Sequence, residues 1–266
     1  MREKTKTGLS KIEFKIGTSG YSYWDWRGKF YPVDVKGSDM LSYYKDHFDC
    51  VEINSTYYRI CYPSTFQKML QRVPRHFEFI LKTHRSFTHI RKDIEAPTEK
   101  FCQSIEPLLE AEQLRGILAQ FPRSFRNSRE NFEYLQRAKG HFPGMPLFVE
   151  FRHGGWLRQE TFRMLEEVGM HYCSVDEPQQ EGSLPPELRV VGKLGYIRFH
   201  GRDPRAWYDY PYSEDELRGW LDQIKSLKES PEKIYIFFNN GVEARAVENA
   251  IAMKELLKRL SEQDDG

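Results

Sequence analysis

Apolar residues in this chain gather in short runs. Eight runs have the length and the β-branched or aromatic character of strands: 14–17, 50–54, 77–83, 116–120, 147–151, 171–175, 195–200 and 234–239. Between most of them the spacing becomes helical, and each such stretch opens on a start signal. Ser38-Asp39 heads one, Pro63-Ser64 the next, Pro97-Thr98 a third and Ser128 a fourth. Ser213-Glu214-Asp215-Glu216 has the S-x-x-E form of a capping box. A last helix is predicted over 242–260. Only the connection after the sixth run, with Pro178, Pro185 and Pro186, is too short and proline-rich for a full helix. Strands alternating with helices pair in parallel through crossovers. Eight such units predict an α/β fold, a single (β/α)8 TIM-type barrel forming one domain over 1–266 with short flexible tails. The alternative, a doubly wound open sheet, lacks its G-x-G-x-x-G fingerprint here.

The strand period of two separates the faces. The polar phase holds Glu52 and Asn54 in the second run, Lys82 and His84 in the third, and Gln120 in the fourth. It holds Glu150 and Arg152 in the fifth, Ser174 and Asp176 in the sixth, Arg198 and His200 in the seventh, and Asn239 in the eighth. These residues sit at the C-terminal ends of the strands, which form the active-site face of a barrel. The inward charges are three carboxylates, Glu52, Glu150 and Asp176, against Lys82, Arg152 and Arg198. A buried charge needs a partner. The set is therefore either a self-satisfied polar plug or a site where bases hold an anion and a carboxylate moves protons. Glu52, Glu150, Asp176, His84 and His200 have metal-ligand chemistry. The neighbouring bases would repel a divalent cation, so neither a metal nor a cofactor is expected.

Net charge refines this picture. Forty basic residues balance 39 acidic ones, giving +1, which excludes a generally polybasic protein or an acidic disordered chain. Locally the balance breaks. Arg85, Arg91, Lys92, Arg123, Arg126, Arg129, Arg152, Arg158, Arg202 and Arg205 follow the third, fourth, fifth and seventh strands, while Glu177, Glu181 and Glu187 make the sixth connection acidic. Rings gather in the same loops: Tyr21, Tyr23, Trp24 and Trp26 after the first strand, Tyr57 and Tyr58 after the second, Trp156 after the fifth, and Trp207, Tyr208, Tyr210 and Tyr212 after the seventh. One sector of the mouth is thus expected to be electropositive and lined with aromatics.

Other chemistry is absent from the sequence. Gly17-Thr18-Ser19-Gly20 resembles an anion nest but lacks the ending of a P-loop, and no G-x-S-x-G elbow occurs. His84 and His89 do not share a helix face. Cys50, Cys61, Cys102 and Cys173 show no C-x-x-C spacing, which argues for reduced thiols. With no signal-like or membrane-length apolar run, a cytoplasmic protein without a membrane partner is expected.

Several motifs together resemble the YecE-like family, the domain of unknown function numbered 72. They are Ile16-Gly17-Thr18-Ser19-Gly20-Tyr21-Ser22, Val51-Glu52-Ile53-Asn54-Ser55-Thr56-Tyr57-Tyr58-Arg59, Phe151-Arg152-His153 with Trp156, and Asp176-Glu177-Pro178. Arg198-Phe199-His200-Gly201-Arg202, Tyr212-Ser213, Phe238-Asn239-Asn240 and Ala246-Val247-Glu248-Asn249-Ala250 complete the set, in family order, over about residues 13–260. Gly155 and the stretch 241–245 depart from the family's pattern. The resemblance implies a TIM-type barrel and no particular activity. It adds His153 and Trp156 to the candidate binding residues.

The leading functional expectation is an enzyme, a hydrolase or lyase, acting on a phosphate-bearing or other anionic substrate. Glu52, Glu150 and Asp176 are its candidate acid/base groups. Asn54, Lys82, His84, Gln120, Arg152, His153, Trp156, Arg198, His200 and Asn239 are its candidate substrate contacts. The alternatives are a glycoside hydrolase with paired carboxylates and a non-enzymatic nucleic-acid binder using the basic, aromatic rim.

Overall fold

The computed structural model describes residues 12–264. Eight strands form one parallel sheet: β1 Glu13–Thr18, β2 Cys50–Ile53, β3 Glu78–Lys82, β4 Leu114–Gln120, β5 Leu147–Glu150, β6 His171–Asp176, β7 Leu194–Phe199 and β8 Lys233–Phe238. Their order, β1-β8-β7-β6-β5-β4-β3-β2, curls the sheet into a nearly closed TIM-type barrel. Eight helices flank it: α1 Met40–Tyr44, α2 Ser55–Tyr58, α3 Pro63–Leu70, α4 Glu95–Glu110, α5 Arg129–Ala138, α6 Gln159–Glu167, α7 Glu214–Lys225 and α8 Arg245–Asp264. Among the described residues no helix is long and apolar enough to cross a membrane.

Local chemistry sets the helix starts. Pro63 occupies the first turn of α3, where its missing N–H costs nothing. Ser128 caps α5 by accepting from the Asn131 amide. Ser213 and Glu216 close both halves of the predicted capping box on α7. Two starts move. Helix α4 begins at Glu95, so Pro97 falls within its first turn rather than before it. Helix α8 begins at Arg245, not 242, because Glu243 and Ala244 take positive φ of 55° and 67° and break the helix there.

The barrel closes by an unusual seam. Strands β1 and β2 share a single bridge, Ser19 to Glu52, with the Gly20 amide donating to the Glu52 carbonyl at 2.7 Å. Below it the Tyr44 hydroxyl takes the place of a ladder. It accepts from the Thr18 amide at 2.9 Å and donates to the Cys50 carbonyl at 3.2 Å. Gly17 permits this approach, since a Cβ there would stand 2.5 Å from the Cys50 carbonyl.

The interior is layered. At the N-terminal end Glu78 accepts from Lys233 at 2.8 Å and from the Tyr235 hydroxyl at 2.7 Å, while Lys15 binds Asp49 at 3.0 Å. Above lies an apolar layer in which Phe148 meets Tyr196 at 4.6 Å between ring centres. Gly116 leaves room for that ring, since a Cβ would reach within 2.5 Å of it. The polar layer at the C-terminal end is the site.

Tyr44→Phe removes the seam's hydroxyl and leaves the buried Thr18 amide without that acceptor. The expected loss is about 1–3 kcal/mol of unfolding free energy, measured by urea denaturation, with protection of the Thr18 amide falling in hydrogen exchange.

Candidate active site at the barrel mouth

Arg198, on β7, is 1% exposed and points into the barrel. Its two terminal nitrogens hold two carboxylates: Nη2 donates to Glu52 on β2 at 2.7 Å, and Nη1 to Glu150 on β5 at 2.6 Å. Tyr196, two residues earlier on the same strand, gives its hydroxyl to the other oxygen of Glu52 at 2.6 Å. Arg152 donates from Nε to Glu150 at 2.6 Å and from Nη1 to Glu177 at 2.8 Å. The chain of charges therefore runs Glu52, Arg198, Glu150, Arg152, Glu177, alternating in sign. Burial opposes ionisation of Glu150, but the two guanidinium groups beside it hold its pKa well below the usual carboxylate range.

His200 lies in the same layer. Burial, with Arg152 and Arg198 nearby, pushes its pKa down to about 3, so the imidazole is neutral. Nε2 lies 3.0 Å from Arg152 Nη2 and Nδ1 lies 2.9 Å from the side-chain nitrogen of Asn239; both neighbours are donors, and the neutral ring has one acceptor nitrogen to offer them.

Lys82, at the end of β3, is different. Among the described residues it makes no ion pair. Its ammonium donates to the Gln120 side-chain carbonyl at 2.8 Å and lies 4.6 Å from the centre of the Tyr57 ring. Gln120 is held in that orientation because its own NH2 donates to the Phe121 carbonyl at 2.7 Å. Burial lowers the Lys82 pKa to about 8, assisted by Arg198 and Arg152 and opposed by Glu150 and Glu52.

Over this layer opens a cavity of about 440 Å³. Lys82, Arg152 and Arg198 line it together with Asn54, Gln120 and Asn239. Tyr23, Tyr57, Tyr58 and Tyr208 form apolar walls, and Asp25 is the lone acid on its lining. Glu52 and Glu150 lie outside the lining, beneath the guanidinium groups they bind. Asn54 Oδ1 is buried without a hydrogen-bond partner among the described residues, an acceptor left at the cavity wall.

Five expectations from the sequence change. Asp176 does not face the interior. It is fully buried on the outer side of β6, where it accepts from Arg202 at 2.7 Å, Trp220 of α7 at 2.8 Å and Tyr212 at 3.1 Å. Ser174 also faces outward, exchanging hydrogen bonds with the Arg189 backbone. Polar partners on this outer side, the Arg189 backbone, Arg202 and the Trp220 N–H of α7, satisfy both side chains, so polarity does not mark the inside there. The inward residues are Cys173 and Glu177, and Glu177 supplies the third carboxylate. Trp156 is fully buried in packing, stacked 4.4 Å from Phe151 and 5.3 Å from Phe125, with its N–H on the Phe125 carbonyl at 2.7 Å. His84 leaves the cavity because the chain turns after β3. Its Nδ1 meets Ser86 Oγ at 2.9 Å, beside a short π-helix, Ser86–Ile90. His153 is also off the cavity and accepts from the Gly155 amide at 3.0 Å.

The basic sector is narrower than the loop composition implies. Arg91 is taken by Asn131, Arg123 by the Glu181 carbonyl, and Arg202 by Asp176 and Glu216. Asp25, Glu177 and the Gly241–Val242 backbone are site features outside the sequence-derived set. The acidic sixth connection and the Asp176-Glu177-Pro178 motif are the signs of Glu177 in the sequence. Among the described residues no three His, Cys, Asp or Glu side chains converge as a ligand set for a metal.

Comparison with known proteins places this geometry. The family described as "Protein of unknown function DUF72" matches residues 15–265. The chain belongs to that family. It is 30% identical over 267 residues to the UPF0759 protein YunF of Bacillus subtilis (strain 168), covering 91% of this chain and 94% of that one. It is similar to the crystal structure of a DUF72 family protein, TM1631, from Thermotoga maritima. That likeness has a TM-score of 0.86 at 39% identity and covers 92% of this chain and 99% of that one. The DUF72 family protein EF0366 of Enterococcus faecalis shares the fold at 24% identity, with a TM-score of 0.81 and coverage of 93% and 98%. DUF72 membership agrees with the YecE-like motifs.

Two outcomes test the charge layer. Arg198→Ala strands two buried carboxylates and should cost about 3–5 kcal/mol in urea unfolding. His200 has its pKa depressed in the folded state to about 3. The unfolded chain therefore binds the extra proton first, and stability should fall as pH drops below the ordinary histidine range, by about 2 kcal/mol at pH 5 from this group alone. His200→Asn should flatten that part of the stability–pH curve.

Proposed function

We propose that this DUF72 protein is an enzyme that takes a phosphate-bearing or other anionic small molecule into the mouth cavity. One observation carries the proposal: three cations, Lys82, Arg152 and Arg198, line a cavity whose carboxylate counter-charges lie underneath. An anion entering from the mouth meets donors first. Arg152 and Arg198 are held rigid by their carboxylates, so little side-chain freedom is lost when they bind a ligand. Asn54, Gln120 and Asn239 supply neutral polar contacts, and the tyrosines enclose an apolar or ring portion.

The same arrangement redistributes the acid/base roles. Glu52 and Glu150 are enclosed and arginine-bound, which suits them to positioning the cations rather than to carrying protons. Groups with proton affinity moved toward neutrality are better carriers. Lys82, which lines the cavity, is one; Glu177 has its pKa raised by burial against the pull of Arg152 but, like Glu52 and Glu150, is arginine-bound and off the lining. A glycoside hydrolase needs two carboxyl groups facing the bond to be cut, and Glu52 and Glu150 do not line the cavity. Nucleic acid binding draws on the exposed Trp24, Tyr58 and Tyr62 in the loops after β1 and β2. It would show a steep fall of affinity with salt.

A thermal-shift panel of phosphate esters against chloride at equal ionic strength tests the main proposal. Raised melting temperature for a phosphate ester is the expected result. No response across the panel overturns it. Binding of a dianionic ester should weaken as pH rises through about 8, where Lys82 gives up its proton. Lys82→Met should weaken binding roughly tenfold and remove this pH dependence, with folding preserved.

A further inference from the structure

We propose that Lys82 is a catalytic nucleophile that forms an imine with an aldehyde or ketone carrying a phosphate or carboxylate group. The proposal rests on the anion-binding reading of the cavity and narrows its substrate class to anionic carbonyl compounds.

The geometry sets Lys82 apart from the other two cations. Arg198 bridges Glu52 and Glu150, and Arg152 bridges Glu150 and Glu177. Lys82 has only an amide oxygen, Gln120 Oε1, as hydrogen-bond partner and the Tyr57 ring as neighbour. Structural lysines inside proteins are ordinarily paired with a carboxylate. In this barrel Lys15 and Lys233 follow that rule, on Asp49 and Glu78. An amine with no counter-ion, an apolar ring on one side and two guanidinium groups nearby has the surroundings of an activated lysine. The charged and titratable groups that face it are Arg198 and Arg152, which disfavour its proton, Glu150 and Glu52, which favour it, and His89 beside Tyr57. Burial leads the resulting drop from 10.5 to about 8. At neutral pH that gives roughly three hundredfold more free amine than an exposed lysine has.

The pieces then have separate tasks. Arg152 and Arg198 hold the anionic group, and the carbonyl lies toward Lys82. The neutral amine attacks the carbonyl carbon. A C–N bond forms, and the former carbonyl oxygen takes a proton to become a hydroxyl. The nitrogen then loses its remaining proton as its lone pair closes the C=N bond, and the hydroxyl leaves with a proton as water. One amine and one carbonyl become one imine and one water, with no redox change. Such a bond is an electron sink for a neighbouring carbon, so this chemistry favours a lyase over a hydrolase.

Pyridoxal 5′-phosphate is a direct probe, since it carries both an aldehyde and a phosphate. The full-length protein is mixed with a substoichiometric amount, reduced with borohydride and mapped by peptide mass spectrometry. The expected result is a pyridoxyl group on Lys82 at least roughly tenfold above any other lysine, given the difference in free amine. Inorganic phosphate should suppress it, and labelling should rise with pH through about 8. In Lys82→Met and Lys82→Arg, the label should vanish while circular dichroism and melting temperature remain close to those of the parent. Label spread evenly over surface lysines, or unaffected by Lys82 substitution, overturns the proposal. Pyridoxine 5′-phosphate, which lacks the aldehyde, separates the two levels. If it raises the melting temperature but the aldehyde gives no Lys82 adduct, the imine is wrong and the anion site stands. If neither ester binds, both fall.

Discussion

A guanidinium group shared between two carboxylates governs the upper half of this barrel. Arg198 joins β7 to Glu52 on β2 and Glu150 on β5, strands that are not neighbours in the sheet. The backbone ladder fixes each strand against the next, and this bridge fixes distant strands across the interior. In a space that excludes water such a bridge depends on its members being paired. The Tyr196 hydroxyl, the extension through Arg152 and the neutral His200 surround it, while Arg198 Nε is buried without a partner among the described residues. A buried polar layer of this kind contributes less to net stability than to uniqueness of arrangement. It leaves the side chains facing the mouth with little freedom.

Much of this was legible in the sequence, for physical reasons. Period-two alternation marked Glu52, Glu150, Arg152 and Arg198 as inward because apolar helices cover their strands outside. The rule failed where its premise failed. Hydrogen-bond partners stand on the outside of β6, and there Asp176 makes an outer clasp between β6, the loop after β7, and α7. Glu177 turns inward instead. The three-against-three balance survives with this exchange. His84 lies past the end of β3, where alternation no longer sets direction. Trp156, a mouth ring by its place after β5, is instead stacked flat on Phe151 and Phe125 in the core. Pairing partners were beyond sequence reach, because which base meets which acid depends on barrel closure. For that reason the isolation of Lys82 is visible only in three dimensions.

Function follows from how charge is shared out. Two arginines spend their charge downward and still show an edge to the cavity. One lysine keeps its charge uncommitted, at a cost in desolvation, and sits beside an amide that cannot neutralise it. Arg91, Arg123 and Arg202 of the basic rim are occupied by contacts with neighbouring loops and helices. What composition shows as a broad electropositive sector contracts to a small, directed patch with aromatic walls. That scale suits a small molecule with one anionic end better than a long polyanion.

The Arg198 bridge also imposes an order on assembly. Its partners lie 146 and 48 residues earlier in the chain. As the polypeptide leaves the ribosome, Glu52 and Glu150 are made well before the residue that balances them. Until the seventh strand is made, Glu52 and Glu150 lack this partner, and burying either carboxylate without one is costly. The charge balance of the layer is therefore complete only when most of the barrel's chain is present.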